Sequence, residues 1–279
     1  MGTSAKALKI RIKSVQSTEH ITRAMQLVAS SKLRRATERM ERGRSYFRTM
    51  QGVFMGISEN GYAEDSVYYA PKPCSKTYMI VIAGDRGLAG GYNNNAFHHA
   101  LSVAKEEKLT VLPIGKKAFD FFSKKGYTLD GNLCEVDEVT MEDCAHISKR
   151  ITEAYVKGEY DKVVIVFTNF VNMLSQTPAH IRILPLRKPT KPESERSFTL
   201  YEPSPSQVLS AVVPEYLSGM LYCAISESIA CEQAARRNAM DSATKNADEM
   251  IEKLSLQYNR ARQGAITQEI TEIIAGSEQ

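Results

Sequence analysis

The residues with the clearest capacity for chemistry form a glycine-rich loop, GDRGLAGG, at residues 84–91. It follows an apolar run and precedes a helix-like segment, the usual position of a phosphate-binding loop. Arg86 stands where GxGxxG has its middle glycine, and Lys117 stands where a Walker loop around Gly115 would need Ser or Thr. The spacing therefore favours a strand–helix turn that needs close packing and positive φ. Nucleotide binding by an enzyme stays open as an alternative.

The histidines and cysteines lack the spacing of metal or catalytic sites. The histidines show no HExxH pattern, and the cysteines are odd in number and lack CxxC spacing. No Ser–His–Asp set or pair of catalytic acids stands out, although spacing alone can hide one. We expect no metal, no cofactor, no disulfide framework and a reducing compartment. These residues are His20, His98, His99, His146, His180, Cys74, Cys134, Cys144, Cys223 and Cys231.

Positive charge is concentrated at the N-terminus. Residues 1–48 hold twelve Lys or Arg against three acids, whereas the whole 279-residue chain has a net charge of only +4. Such an excess suits an anionic partner for this end of the chain. No run approaches the roughly 20 apolar residues of a membrane span, and the N-terminus has no apolar signal-peptide core.

The largest predicted element is a C-terminal helix from Pro214 to Gly276. It is rich in helix-forming residues, with Gly219 and Gly264 inside it. At about 1.5 Å per residue it would be roughly 90 Å long, too long for one domain of this size to bury. An apolar seam is predicted at alternating steps of three and four, followed by an apolar tip. The seam is Met240, Ala243, Ala247, Met250, Leu254, Tyr258, Ala261 and Ala265, and the tip is Ile266, Ile270, Ile273 and Ile274.

A second long helix is predicted near the N-terminus. Apolar residues recur there at steps of three and four, which indicates one narrow buried stripe. The stripe consists of Leu8, Ile12, Val15, Ile21, Met25 and Val28. Because both long helices flank the central segment, the simplest assembly is an antiparallel pair.

The centre of the chain alternates between strand and helix patterns. Strands are predicted at 77–84, 109–115 and 162–170, with candidate edge strands at 180–186 and 197–202, and helices at 94–108, 116–126 and 141–160. This alternation predicts a small, mainly parallel, Rossmann-like sheet. The predicted fold class is α/β, with a long antiparallel coiled coil of the terminal helices around this domain. The predicted segments are an N-terminal coiled-coil helix at 1–60, a foot at 75–205 and a C-terminal coiled-coil helix at 206–279.

Three sequence motifs resemble those of a known family, the γ subunits of F-type ATP synthases. The segment IKSVQSTEHITRAMQLVASSKLRRA (12–36) resembles that family's first helix, and GDRGLAGGYN (84–93) resembles its central loop. The last 45 residues of the match, 232–276, resemble its C-terminal helix. The motifs stand in the family's order and cover essentially the whole chain.

The resemblance implies a non-catalytic role as the central rotor shaft. Such a chain would pass through a ring of three α and three β subunits, which carry the catalysis. Its foot would contact the ε subunit and the c-ring. It would couple proton flow to ATP synthesis and hydrolysis, and would regulate ATPase activity and proton flow. We expect no nucleic-acid partner, no cofactor and no small-molecule substrate of its own.

The resemblance also implies contact residues. Those for the α/β ring are Arg23, Met25, Val28, Arg236, Gln263, Thr267, Glu269 and Thr271, and those for the c-ring or ε are Tyr201 and Glu202. Two positions depart from the family pattern: Arg237 replaces a methionine and Gly264 replaces an alanine. Gly264 costs about 1 kcal/mol of helix stability relative to alanine.

The resemblance favours the bacterial type of the family. Residues 145–222 contain no cysteine, so the dithiol insertion of the chloroplast type is not expected. The first motif begins close to Met1, which predicts no transit peptide and a peripheral place on the cytoplasmic side of the cell membrane. The alternative from the residues alone is a basic coiled-coil adaptor that binds nucleic acid or an anionic membrane.

Overall fold

The computed structural model describes residues 5–59, 66–69, 75–104, 108–186 and 201–277. Two long helices lie at the ends of the chain: α1 is Ala5–Glu59, of 55 residues, and α5 is Pro205–Ser277, of 73 residues. Both confirm the predicted terminal helices. The predicted start of α5 at Pro214 is wrong, since this proline lies inside the helix.

Packing explains why α5 begins before Pro214. A proline inside a helix removes a hydrogen bond and destabilises the helix. Leu209 and Val213 precede it, and both are completely buried in the core. Tertiary burial of such side chains outweighs local propensity. The backbone N–H of Gln207 donates to Ser204 Oγ at 3.3 Å, which caps the N-terminal end of helix α5.

A five-stranded sheet occupies the centre, in the order β3-β2-β1-β4-β5. The strands are β1 (Lys76–Ile82), β2 (Lys108–Ile114), β3 (Thr128–Leu129), β4 (Lys162–Phe170) and β5 (Gln176–Leu184). All neighbours are parallel except β5, which is antiparallel to β4 at the edge. The fold-class prediction is confirmed. The short strand β3 was not predicted, because a strand of two residues is too short to show an alternation of apolar and polar side chains.

Three shorter helices connect the strands. They are α2 (Tyr92–Val103), α3 (Lys116–Lys124) and α4 (Met141–Val156). Successive side chains of β1 enter different cores, as a strand requires. Tyr78, Ile80 and Ile82 join a cluster with α1, α4 and α5, while Met79 and Val81 join one with α2 and α3. The sheet is therefore covered by helices on both faces.

The predicted edge strand at residues 197–202 is not found in the part of it that the structure describes. Of residues 197–202, only Tyr201 and Glu202 lie in the described part of the chain, and neither is in a strand. The chain turns there into Ser204 and the start of α5. The predicted helix at 94–108 also ends too late, since Lys108 is the first residue of β2. Its residues 105–107 lie outside the described residues.

The chain divides into two compact units. One comprises residues 1–30 and 236–279, and the other comprises Ser31–Ala235. We call them the helix-pair unit and the sheet unit. The helix-pair unit joins the beginning of α1 to the end of α5, and the sheet unit holds the sheet with its covering helices.

The helices of the helix-pair unit are antiparallel. Thr22 Oγ1 lies 2.8 Å from Thr244 Oγ1, and Gln26 Nε2 donates to Asp241 Oδ1 at 2.8 Å. The contacts thus pair increasing residue numbers on α1 with decreasing residue numbers on α5, which shows that the two helices are antiparallel. In this unit, the buried residues of α5 are Met240, Thr244, Ala247 and Leu254.

The predicted seam is correct at some positions and wrong at others. On α5, Thr244 is buried where Ala243 was predicted, and Met250 is exposed. On α1, Ile21 and Val28 are exposed by 57% and 60%. The buried residues of this part of α1 are Leu8, Glu19, Thr22 and Ala29. Part of the seam consists of small side chains, Ala29 on α1 and Ala247 on α5, and part is the hydrogen-bonded pair of Thr22 and Thr244.

One helix, at Ser206–Ile274, is long and apolar enough by composition to cross a membrane. Just over half, 56%, of its most apolar window is buried inside the protein. A core helix passes the same test, so this helix gives weak evidence for a membrane span.

Candidate functional site

The 84–91 loop binds the protein's own groups. Asp85 Oδ1 accepts from the backbone N–H of Lys116 at 2.9 Å, and Asp85 Oδ2 accepts from that of Val136 at 2.8 Å. Asn93 Oδ1 accepts from the N–H of Gly84 at 2.9 Å. The Asp85 carboxylate thus occupies the N-terminus of α3, where a phosphate would otherwise bind.

The glycines around this loop allow close packing. A Cβ at Gly115, which has a φ of +100°, would lie 2.1 Å from the carbonyl oxygen of Ala83. A Cβ at Gly84 would lie 2.5 Å from Glu232 Oε1. Leu88 and Gly90 have φ of 63° and 56°. The geometry is that of a packed turn with positive φ, as the spacing of the loop favoured.

No group of three or more His, Cys, Asp or Glu suited to a metal ion occurs within the described residues. Two of the histidines lie close together, since His99 Nε2 is 3.1 Å from His180 Nδ1. Burial and the neighbouring His180 lower the pKa of His99. The pair was not foreseen, because it joins α2 to the edge strand β5 across the fold.

The described cysteines are free thiols. Cys223 Sγ donates to the carbonyl oxygen of Gly43 at 3.3 Å, and Cys231 Sγ donates to that of Thr168 at 3.3 Å. Burial raises the pKa of the Cys223 thiol to about 11 and that of Cys144 to about 12. These side chains are packing groups with little thiolate character. Cys74 lies outside the described residues.

The candidate ring-contact residues of α1 lie in the helix-pair unit. Arg23 is more than half exposed, and its Nη2 lies 2.8 Å from Glu19 Oε1 and 3.9 Å from Asp248 Oδ2. Met25 is half-buried, and Val28 is exposed. Ile21 and Val28 are seven residues apart, about two helical turns, and therefore share one face. They form an exposed apolar stripe, which we call the outer stripe.

The candidate contact residues near the end of α5 are mostly exposed. Gln263, Thr267 and Thr271 are all exposed, and each threonine hydroxyl donates to the backbone carbonyl four residues earlier. Arg236 is half-buried at the start of this unit, and Glu269 lies within the helix. The predicted apolar tip is exposed at all four isoleucines, namely Ile266, Ile270, Ile273 and Ile274. It is apolar surface without cover in the described chain.

The two candidate foot residues lie in the sheet unit, just before α5. Tyr201 is half-buried, and its hydroxyl donates to the carbonyl oxygen of Gly56 at 3.3 Å. Glu202 is exposed and is followed by a cis peptide bond to Pro203. This segment therefore contacts the end of α1.

A polar cluster that the sequence did not predict ties α5 to the sheet. Glu227 Oε1 accepts from Arg44 Nη2 at 2.8 Å and from the backbone N–H of Phe170 at 2.9 Å. Ser228 Oγ accepts from the N–H of Thr168 at 3.2 Å. An acidic residue inside the otherwise uncharged segment 217–231 was the available signal. The cluster connects α1, α5 and the end of β4.

The fold defines a class of proteins with two long terminal helices around a mainly parallel sheet. A chain in an OSCP/F1/c-ring structure of Euglena gracilis mitochondrial ATP synthase has this fold. The match has a TM-score of 0.73, 19% identity, and coverage of 98% of this chain and 93% of that chain. A central-stalk chain from Tetrahymena thermophila gives a TM-score of 0.65 with 23% identity, over 80% of this chain and 99% of that chain.

Sequence comparison identifies the family. The ATP synthase family model matches residues 4–279. An ATP synthase gamma chain from Ruminococcus albus is 46% identical over 98% of this chain and 97% of its own length. A sodium-ion-specific gamma chain from Acetobacterium woodii is 38% identical over 100% of this chain and 99% of its own length. The chain belongs to the ATP synthase gamma-chain family.

The family membership gives the role in general terms. The chain is a non-catalytic component of ATP synthase and acts as the central rotor shaft. Its partners are other ATP synthase subunits, and it is part of a membrane-associated complex. The family indicated by the three sequence motifs is confirmed.

Proposed function

We propose that the helix-pair unit turns inside a ring of three α and three β subunits. The observation that carries this proposal is exposed apolar surface on a highly charged helix pair. The outer stripe of Ile21 and Val28 and the isoleucine tip of α5 have no cover in the described chain. Such surface suits a partner that encloses it.

The ring contacts combine this apolar surface with charge. Met25 lies beside the outer stripe, four residues from Ile21 on the same side of α1, while Arg23 lies on another face. The basic excess of residues 1–48 suits acidic loops of a partner. Near the tip, polar side chains lie beside the isoleucines. We propose as ring contacts Arg23, Met25, Val28, Arg236, Gln263, Thr267, Glu269 and Thr271.

The sheet unit is proposed as the foot, which binds the ε subunit and the c-ring. Tyr201 and Glu202 lie at the junction of α1 and α5, where a partner could hold both helices. The ion pair of Arg44 with Glu227 joins the same helices to β4. Torque applied to the foot would pass to both helices through this cluster. In this scheme the segments 1–60, 75–205 and 206–279 act as first helix, foot and last helix.

Coupling follows from the asymmetry of the helix pair. The outer stripe lies on one face, so at each angle it contacts a different β subunit. A contact that favours one conformation of β shifts that subunit's equilibrium, and rotation moves the shift around the ring. We place the complex at the cytoplasmic side of the cell membrane with the chain as a peripheral subunit. The coupling ion is a property of the c-ring.

Substitution of the outer stripe tests the ring contact. Ile21→Asp with Val28→Asp should weaken assembly with α and β at least tenfold, because charge replaces buried apolar area. The measurement is the amount of α and β retained by the tagged chain at graded subunit concentrations. Leu174→Asp, at an exposed position of the sheet unit, is the matched control. Equal retention by both variants would contradict the proposed contact.

A further inference from the structure

A pocket of about 620 Å³ opens in the sheet unit, between α1 and the start of α4. Its size lies in the range of about 300–1,000 Å³ that small-molecule sites occupy. We call it the arginine pocket, because three arginines of α1 line one wall. Its lining residues are Arg35, Arg39, Arg42, Gly43, Met141 and Tyr222.

Positive charge dominates this pocket. All the charged residues among those that line it are arginines, and none is an acid. The three lie at steps of four and three along α1, which puts them on one helix face. A guanidinium stays protonated at every physiological pH, so the charge of the pocket is permanent.

Arg39 is held in place by the protein. Its Nε donates to Tyr222 Oη at 3.1 Å, its Nη1 donates to the carbonyl oxygen of Asp137 at 2.9 Å, and its Nη2 donates to that of Val139. None of these acceptors is a carboxylate, so the charge of Arg39 is not neutralised by them. The side chain forms a rigid, positively charged wall.

Arg35 and Arg42 leave their charge available. Both side chains are exposed, and within the described residues no carboxylate lies within ion-pair distance, 4.0 Å, of either guanidinium. The neighbouring Arg34 differs, since its Nε lies 3.3 Å from Glu38 Oε1. Arg42 Nε donates only to the backbone oxygen of Glu38, at 3.3 Å. Two guanidiniums with free donors thus flank the fixed Arg39.

The opposite wall is apolar and aromatic. Tyr222 lies across from α1, with Arg39 Cζ 4.9 Å from its ring centroid. Gly43 leaves room beside this ring, because a Cβ there would contact Tyr222 Cδ1 at 3.8 Å and Cys223 Sγ at 3.6 Å. Met141 adds a flexible apolar side chain. A ligand for this pocket needs both an anionic and an apolar part.

We propose that the arginine pocket binds a small phosphate-bearing anion with an organic ring, of the nucleoside polyphosphate class. Guanidiniums bind phosphate oxygens through paired, charge-assisted hydrogen bonds. Arg35 and Arg42 would hold the phosphates, and Tyr222 and Met141 would contact the ring. The site is separate from the 84–91 loop and involves no chemical step. A ligand here would bridge α1, α4 and α5 within the foot and would stabilise it.

Calorimetric titration of the purified full chain tests the site at physiological ionic strength. The probes are sodium triphosphate and ATP, without added metal. We expect saturable binding of both with one site per chain. Arg35→Ala with Arg42→Ala should weaken both at least tenfold, since two charge-assisted contacts are lost. Tyr222→Leu should weaken ATP more than triphosphate. Equal losses for the two probes would contradict the proposed ring contact.

The control separates a site from general attraction. Arg11→Ala with Arg34→Ala removes the same charge from exposed positions of α1 outside the pocket. This variant should bind both probes as the parent chain does. An equal loss in the control, or no saturable binding by the parent chain, would overturn the proposal. Saturable binding of a glutamate-rich peptide without binding of triphosphate would also overturn it and would assign the surface to a protein partner.

Discussion

At the scale of single residues, two glycines of this chain serve opposite purposes. Gly264 lies within α5, and a Cβ there would have nothing within 4 Å. Gly115 has a φ of +100° and lies against the backbone of Ala83. The first is a weak point in a helix, and the second is required by the turn.

Substitution by alanine should therefore act in opposite directions. Gly264→Ala should stabilise the end of α5 by about 1 kcal/mol, which hydrogen exchange of the amides near residue 264 would measure as slower exchange. Gly115→Ala should destabilise the sheet unit by roughly 3 kcal/mol or more, because backbone must move. Faster exchange near residue 264 in Gly264→Ala would contradict a continuous helix at that position.

Asp161 gives a second prediction at this scale, for the pH dependence of stability. Burial acts to raise the pKa of Asp161, but hydrogen bonds from the Ser75 hydroxyl, at 2.9 Å, and from the N–H groups of Ser75 and Lys76 outweigh it and lower the pKa. A lowered pKa means that the ionised carboxylate stabilises the folded state above its ordinary pKa of 3.8. This contribution is lost as the pH falls through the pKa of the folded state.

Asp161→Asn should therefore lower stability by about 1 kcal/mol near neutral pH. The difference from the parent chain should shrink below about pH 4, where the aspartate becomes protonated. Urea unfolding at a series of pH values measures both. A difference that stays constant down to pH 2 would show that the carboxylate charge is not responsible.

At the scale of elements, the terminal helices were predictable and their packing was not. Long runs of helix formers predicted the existence of α1 and α5 correctly, although not the start of α5. The predicted seam of α1 was wrong because Ile21 and Val28 have the apolar spacing of a buried stripe and yet face outward. Thr22 and Ala29 face the partner helix instead. Where a helix has two possible buried faces, the sequence does not show which of them packs against another helix of the same chain.

The start of α5 and the sites within the sheet unit show the same limit. Pro214 is a local signal for a helix start, and the burial of Leu209 and Val213 overrides it. Glu227 and Arg44, and likewise the arginine pocket, join residues that lie far apart in the sequence. The motif resemblance predicted the family and the foot, but it contained no information on these contacts.

The contact between Thr22 and Thr244 allows a test of the seam. Both side chains are buried, and their hydroxyl oxygens are 2.8 Å apart. Thr22→Val or Thr244→Val alone should cost about 1 kcal/mol, because the hydrogen bond between the two helices is lost. The remaining hydroxyl keeps its bond to a carbonyl oxygen of its own helix, that of Glu19 or Met240. The double variant should cost less than the sum of the two. Strict additivity in denaturant unfolding would mean that the hydroxyls do not interact.

At the scale of the whole molecule, the chain has exposed apolar surface at the helix-pair unit and a well-packed sheet unit. Within the described residues, the helix-pair unit leaves the outer stripe and the tip uncovered. A rotor shaft needs this division, since one part must transmit torque as a rigid body and another must contact changing partners.

Rotation of the assembled motor tests the central claim most directly. The chain would be combined with the α and β subunits of its own organism, with a bead attached to an engineered surface cysteine of the sheet unit. We expect stepwise, unidirectional rotation of the bead when ATP is added, and loss of rotation when residues 206–279 are removed. A chain that assembles with α and β but stays stationary while ATP is hydrolysed would contradict the role as a rotor shaft.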